Sequence, residues 1–397
     1  MADHSATGSA VGYLYQCELA LYELARRTRN SEDIALFLEV LDDIHFERSG
    51  DPVNLLQAKH HLGPAGNLSN ASPDLWRTIR AWIDTLERVG KSKPQRVLLT
   101  TAIAPEGTAA AALRRDLSAR NENKAEQLLC EIAETSTNKE TEKARRAFLK
   151  LEEAQRSDFI ASILVLDGQP GIREMDTAIN KEIYFAYSLR HKTQFLERLK
   201  GWWYQQAIAL LTKQIDSVTT DTLSKKIDDL RDQFSHDNLP TDIDLDEPID
   251  ENNTATMYEK MFVKQLKLIM TRRNLVDLMI RSYYLAYCQR SKWTRDGLMK
   301  PGELTHFENK LIDEWQYEFE WMKTDLEKSC AEPEKQSKGR ELLRNLPQKS
   351  QARLRPQYNE EFLTRGTFHS LADDLRVGWH SDFLERLQSL TDRAIPK

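Results

Sequence analysis

The chain has few cysteines and no long apolar segment. Of its 397 residues only 4 are cysteine, and Cys17, Cys130, Cys288 and Cys330 lie far apart without a Cys-x-x-Cys pair. This spacing excludes a zinc knuckle and a disulfide framework. No stretch of about 18 apolar residues is present, so the sequence predicts no transmembrane helix. Residues 1–6 lack the basic flank and apolar run of a signal peptide, and we expect a cytoplasmic protein with no membrane attachment.

Several common catalytic signatures are also absent from the sequence. It contains no P-loop, no dinucleotide-binding glycine motif, no Gly-x-Ser-x-Gly and no His-Glu-x-x-His. Nucleotide hydrolysis would therefore have to come from another chain. The formal net charge of −6 argues against a protein that coats nucleic acid over its whole surface. It does not exclude a nuclease, because an active site needs carboxylates and only a local basic groove.

Hydrophobic periodicity predicts a mixed region followed by a helical region. A helical segment is followed by two strand-like segments, which a Ser-Gly-Asp-Pro turn joins into a hairpin. A helix beginning at Ser72-Pro73 and a buried strand come next. The predicted segments in order are a helix at 12–28, strands at 35–47 and 53–60, a helix from 73 to about 89 and a strand at 95–103.

Beyond residue 170 long helical segments predominate. We therefore predict an α+β protein with an N-terminal α/β domain, a mixed central sheet flanked by helices, at residues 1–170. A mostly α-helical domain is expected at residues 171–397. Within it, residues 332–355 are rich in Pro, Lys, Gln and Ser and form the best linker candidate.

Charged and amide side chains fall within the predicted hairpin. Because side chains alternate across a strand, Glu39 and Asp43 of the first strand are expected beside Gln57 and Lys59 of the second. A bulge at this point would bring Asp42 inward in place of Asp43. Such a cluster is costly to bury unless its members pair with one another or hold a metal. An ordinary salt bridge from Lys59 to either carboxylate is the simpler alternative.

These residue types suit phosphodiester hydrolysis. A hard divalent cation, Mg²⁺ or Mn²⁺, needs oxygen ligands, and Asp43, Gln57 and Glu39 can supply them. Lys59 can position the attacking water or stabilise charge on the phosphate. On the following helix Arg77 and Arg80 lie between two tryptophans, and we expect these arginines to contact phosphates while the tryptophans pack.

The same residues resemble a known nuclease pattern. The run Glu39-Val-Leu-Asp-Asp43, a turn and then Gln57-Ala-Lys59 resembles the PD-(D/E)xK nucleases in their QxK form. With Gly12-Tyr-Leu-Tyr-Gln16 opening the first helix, the chain is similar to the double-stranded DNA endonuclease domain of bacterial anti-phage effectors. That family includes the nuclease domain of CD-NTase-associated effectors and the LmuA-type subunit of Lamassu systems. The resemblance covers about residues 10–105.

The resemblance implies a restriction-endonuclease-like fold and magnesium-dependent cleavage of double-stranded DNA. It also implies an SMC-like ATPase and a small third subunit as partners, with self-association on activation. Related three-component systems built on an ABC ATPase carry similar chains. Gln16 and His60 become further candidates for DNA contact.

Two departures from the pattern leave other functions open. Gln57 stands where Asp or Glu is usual, and Gln16 where many relatives of this fold have a helix Glu. These residues favour a non-catalytic adaptor with a degenerate nuclease fold as the first alternative. A second alternative is a helical interaction module for which the hairpin is only a cap.

Overall fold

The computed structural model describes residues 6–60, 67–90, 92–244, 256–326 and 331–391. Within them six strands form one sheet in the order β5-β4-β3-β2-β1-β6. β3, β4 and β5 pair in parallel, whereas β1, β2, β3 and β6 pair antiparallel. The strands are β1 (Ala35–Leu38), β2 (Ile44–Arg48), β3 (Asp51–Lys59), β4 (Gln95–Thr100), β5 (Ile163–Leu166) and β6 (Val218–Thr219). The sheet is mixed, as the sequence predicted.

Helices flank this sheet in the same part of the chain. They are α1 (Ala6–Arg29), α2 (Pro73–Asp84), α3 (Ala109–Ala112), α4 (Glu122–Thr135), α5 (Glu142–Leu149), α6 (Glu153–Ala161), α7 (Met175–Ile183), α8 (Lys192–Leu211) and α9 (Thr220–Gln233). Helix α2 begins where Pro73 follows Ser72, because a proline in the first turn has no N–H that a helix would need.

The predicted hairpin is confirmed between β2 and β3. Ser49 and Gly50 connect the two strands, and their φ angles of 54° and 86° are the positive values that a tight two-residue turn requires. The continuous first strand at 35–47 was wrong. It breaks after Leu38, and Glu39, with φ of 53°, begins a reversal that ends at Asp43. The Glu39 amide donates to the Asp43 carbonyl across 3.2 Å, so β1 and β2 form a hairpin of their own.

A hydrophobic core lies between one face of the sheet and α2. The register of the parallel strands aligns Leu98 of β4 with Gln57 of β3 and with Val165 of β5. The side chains of Leu98 and Val165 pack in one buried cluster with Trp76 and Trp82 of α2. Gln57 and Lys59 are therefore on the sheet face that α2 covers.

Residues after 170 complete the N-terminal sheet. β6 pairs with the edge strand β1, and Trp203 of α8 donates its indole N–H to the Cys17 carbonyl of α1 across 2.7 Å. The chain accordingly divides into compact units at Met1–Arg231 and Asp232–Lys397, whereas the sequence placed its boundary at 170. Helical periodicity alone does not distinguish a helix that packs on a sheet from one in a separate bundle.

The second unit is helical in all its regular elements among the described residues, as predicted. Its helices are α10 (Met261–Leu268), α11 (Arg273–Arg295), α12 (Glu303–Asp325), α13 (Glu332–Lys349), α14 (Glu361–Asp373) and α15 (Phe383–Thr391). Helices α11 and α14 approach closely at Gly366, where a Cβ atom would lie 2.1 Å from the Ser282 carbonyl oxygen.

The predicted linker at 332–355 was wrong for most of its length, because residues 332–349 form α13. Pro333 lies in the first turn, where proline is tolerated, and Leu342, Leu343 and Leu346 are buried. Gly339 permits close packing, since a Cβ there would lie 2.3 Å from the Trp379 carbonyl oxygen. No helix in the described ranges is both long and apolar enough to cross a membrane.

Candidate active site

Gln57 and Lys59 lie at the carboxyl end of β3, beside the end of β4. The Gln57 side chain is buried, and Lys59 is half-buried. The Lys59 ammonium donates to Gln57 Oε1 across 3.0 Å. These two side chains share a face because they are two residues apart on one strand, as predicted.

Two carboxylates from the loop between β1 and β2 meet the other end of the Gln57 amide. Gln57 Nε2 donates to Asp43 Oδ1 across 3.0 Å and also to Asp42 Oδ1. The second Asp43 oxygen accepts the Ala58 N–H across 3.0 Å. The sequence offered Asp42 and Asp43 as alternatives for one position on a strand. Because both belong to a turn instead, both reach Gln57.

Trp82 of α2 fixes Asp42 from the opposite side. Its indole N–H donates to Asp42 Oδ2 across 2.6 Å, and both side chains are buried. Sequence reasoning assigned Trp82 to packing alone and missed this contact. The available signal was a buried tryptophan, since its N–H normally finds an acceptor. Arg88, just beyond α2, holds the same loop by donating to the Val40 carbonyl across 2.6 Å.

Burial and mutual repulsion shape the electrostatics of the acids. Burial raises the pKa of Asp42 to about 6, the hydrogen bonds from Gln57 and Trp82 oppose this rise, and the charge of Asp43 adds to it. Glu39 is exposed as a whole residue, but the partial burial of its side chain raises its pKa. The charge of Asp43 adds to this rise, and the charge of Lys59 opposes it. Glu39 therefore lies close enough to Asp43 and Lys59 to feel their charges. It does so from the loop after β1 and not from a strand.

Asp42, Asp43 and Gln57 carry oxygen atoms, which are the ligands that a hard divalent cation prefers. Three side chains are few for such a cation, which usually takes about six or more oxygen ligands. Within the described ranges no group of three or more His, Cys, Asp or Glu side chains is arranged to hold a metal. In the structure the Gln57 NH₂ group occupies the position between the two carboxylates. A half-turn of the terminal amide would exchange its nitrogen and oxygen and direct Oε1 to that position.

The start of α1 lies near the same loop. Burial first, and then the charges of Glu39, Cys17 and Asp43, raise the pKa of Tyr13. Gln16 follows Tyr13 by three residues, which places both on one side of the helix, and it is half-buried. The Gly-Tyr-Leu-Tyr-Gln segment and the acidic loop are thus neighbours in space.

The remaining candidates for DNA contact have protein partners. The ring centroids of His60 and Tyr15 are 4.5 Å apart. His60 Nε2 also accepts a hydrogen bond from the Ile172 N–H across 3.3 Å. Arg77 pairs with Glu140, and Arg80 pairs with Asp84 at 2.7 Å, on the exposed side of α2. Their contact with DNA stays a prediction.

The family comparison concerns the second unit. Residues 262–387 match the family model of C-terminal domain 7 of the ABC-three component (ABC-3C) systems. These are anti-phage defence systems. The match begins at the second residue of α10 and ends within α15. It confirms the predicted connection to anti-phage defence systems. No curated protein sequence matches the chain. The Lamassu-like assignment stays a prediction.

Proposed function

We propose that this chain is the DNA-cleaving subunit of an anti-phage defence complex, a magnesium-dependent endodeoxyribonuclease. One observation carries the proposal: a single amide, that of Gln57, joins the Asp43 carboxylate to the Lys59 ammonium, with 3.0 Å on each side. Acid, amide and amine are thereby held around one point at the edge of a mixed sheet. This is the set of groups that the QxK nuclease pattern requires.

In the proposed mechanism the acids and the amide bind the cation, and Lys59 binds the substrate. Asp43, Asp42 and the Gln57 carbonyl would hold Mg²⁺ or Mn²⁺, which when bound polarises the phosphate and lowers the pKa of a bound water. Lys59 holds a phosphate oxygen and stabilises the negative charge that develops there. Glu39, whose pKa is raised, accepts the proton of the attacking water or serves as a further ligand.

The proposed complex contains other subunits. By resemblance these are an ATPase of the ABC or SMC-like class and a small third subunit, and the match of residues 262–387 supports this multi-component setting. The helical unit would bind the partner subunits, and these bound subunits would keep the nuclease inactive. Release and self-association would then pair two sites across a double-stranded DNA. Gln16, His60, Arg77 and Arg80 are the proposed DNA contacts.

Plasmid cleavage by the purified full chain, with and without its partner subunits, tests this function. Wild type should nick plasmid when Mg²⁺ or Mn²⁺ is present, and Asp43→Asn and Lys59→Ala should each lose the activity. The exposed ion pair between Lys93 and Asp158 provides matched controls, and Lys93→Ala and Asp158→Asn should cleave as wild type does. Cleavage by Asp43→Asn at the wild-type rate would overturn the proposal.

A non-catalytic adaptor is the second candidate. It is favoured by the amide at position 57. It is also favoured because no group of three or more His, Cys, Asp or Glu side chains in the described ranges is arranged to hold a metal. Phage protection in cells separates the two functions. A nuclease with Lys59→Ala loses protection, whereas an adaptor with the same substitution retains it.

A further inference from the structure

A groove between α12 and α13 opens on the surface of the helical unit. It encloses about 730 Å³ and is lined by residues of both helices. Its lining side chains are mostly aromatic or acidic, and they include Tyr317, Trp321, Glu314, Glu318 and Glu320. We call this surface the α12–α13 groove. Its volume is in the range of clefts that bind ligands.

Two aromatic side chains stand exposed at the groove. Tyr317 is 65% exposed and Trp321 is 56% exposed, although both are large. They lie one turn apart on α12, with ring centroids 6.4 Å apart and planes at 72°. Neighbouring exposed aromatics of this kind are enriched at the centres of protein interfaces, where they supply most of the binding free energy.

The charge of the groove has one predominant sign. Asp313, Glu314, Glu318 and Glu320 line it, and Lys349 is the basic residue among its lining side chains. Lys349 reaches Glu318 only at 3.8 Å, a distance that gives a weak surface pair. The lining therefore keeps a negative excess that favours a cationic partner.

The hydrogen bonding of the Glu314 carboxylate is one-sided. One of its carboxylate oxygens accepts the N–H groups of Gln351 and Ala352, each across 3.0 Å. The other oxygen, Oε2, is buried and accepts no hydrogen bond from the described part of the chain. An anionic oxygen that no donor neutralises adds to the negative potential around the groove.

We propose that the α12–α13 groove receives a segment of a different protein chain that presents a Lys or Arg beside an apolar side chain. The apolar group packs on Tyr317 and Trp321, and the cation lies over the Trp321 ring and reaches the carboxylates. DNA is disfavoured because the acids repel phosphates, and a groove-to-groove contact with a second copy is disfavoured because two acidic grooves repel each other. The inference rests on the partner-binding part of the proposed function and not on its nuclease chemistry.

Site-specific photocrosslinking of the full chain tests the groove. Tyr317 is replaced by p-benzoylphenylalanine in cells that express all components of the system, and mass spectrometry identifies the crosslinked peptide. The matched control carries the same probe at Tyr287 of α11, an aromatic residue that is 53% exposed and lies outside the groove. Position 317 should crosslink to one segment that carries Lys or Arg beside an apolar residue, and position 287 should not.

Charge reversal then tests the chemistry of the contact. With the probe at 317, the double variant Glu318→Lys/Glu320→Lys should lower the crosslink yield about tenfold or more, which corresponds to a free-energy change of about 1.4 kcal/mol. Reversal of the partner's basic residue to Glu should restore it. Glu361→Lys of α14, an exposed acid outside the groove, should leave the yield unchanged.

Crosslinks to DNA, to another copy of this chain or to an acidic segment would overturn the proposal, as would no crosslink from position 317. Plasmid cleavage is measured on the same variants. A Lys59→Ala chain that still crosslinks shows that partner binding stands without the nuclease, and a groove variant that still cleaves DNA shows the reverse.

Discussion

The indole N–H of Trp82 donates to the Asp42 carboxylate across 2.6 Å and thereby joins helix α2 to the acidic loop. The contact is buried on both sides. It fixes the orientation of one carboxylate before any ligand binds, and it connects the hydrophobic core to the proposed metal ligands. Such pre-orientation limits the reorganisation that metal binding would require.

Trp82→Phe removes this donor and keeps most of the ring volume. We expect the free energy of unfolding in urea to fall by about 1–3 kcal/mol, because a buried carboxylate loses a hydrogen bond. DNA cleavage should fall as well. Trp76→Phe is the matched control, since Trp76 lies on the same helix and donates to the Asn70 carbonyl away from the acids. That variant should lose stability but retain metal-dependent activity, and a similar loss of activity in both variants would contradict the assigned role.

Gln57→Glu adds a carboxylate beside Asp42 and Asp43 and removes the amide N–H donors that now join them. Without metal we expect a lower thermal unfolding midpoint, because like charges meet at a buried position. With Mg²⁺ the midpoint should rise more than that of wild type, since the added anion strengthens cation binding. Gln95→Glu, at the exposed start of β4, should respond to Mg²⁺ as wild type does. An equal Mg²⁺ shift in the Gln57→Glu variant and in wild type would argue against a metal at this point.

Gly366→Ala places a methyl group between α14 and α11, where it would lie 2.1 Å from the Ser282 carbonyl oxygen and 2.5 Å from the Ala286 side chain. The overlap should lower the free energy of unfolding by about 2 kcal/mol or more. Gly201→Ala of α8 is the control, because nothing lies within 4 Å of the added atom. Alanine there should raise stability by about 0.5–1 kcal/mol. Calorimetry of the full chain measures both effects, and equal midpoints would refute this packing.

His369 should make stability depend on acidity. Burial first, and then the charge of Arg365, lower its pKa to about 3. Because the folded pKa is below the unfolded value of about 6.5, the stability contribution is complete above pH ~6.5 and is lost as pH falls toward the folded value. As the pH falls from 7 to 5, this imidazole should lower the free energy of unfolding by about 2 kcal/mol. His369→Leu should flatten that part of the profile, and an unchanged pH profile would contradict the burial of a neutral imidazole.

Much of the N-terminal fold was predictable because its signals are local. Proline after Ser72, the Ser49-Gly50 turn and alternating side chains on β3 each depend on neighbours in the sequence. The reversal at residues 39–43 was not predictable in this way. Ala35 to Glu47 has the composition of one strand, and only pairing between β1 and β2 shows where it turns.

The structure brings Asp43, Gln57 and Lys59 together, but partly on other elements than the sequence predicted. Glu39, Asp43, Gln57 and Lys59 were expected on two strands, and instead the acids come from a loop. The missed residue was Trp82, because its hydrogen bond to Asp42 joins positions 40 residues apart in sequence. For the same reason the pairing of β6 with β1 was not predicted, since the two strands lie far apart in the sequence.

The proposed nuclease chemistry requires that Asp43 and its neighbours hold a divalent cation beside Lys59. Titration of the full chain with Mn²⁺, followed by electron paramagnetic resonance, measures this without depending on DNA cleavage. Wild type and the control Asp158→Asn should bind one ion with similar affinity, and Lys59→Met should bind it at least as tightly because a nearby positive charge is removed. Asp43→Asn should bind it at least about tenfold more weakly. Saturable binding that is unaffected by Asp43→Asn, or no saturable binding in wild type, would contradict a metal site at Asp43.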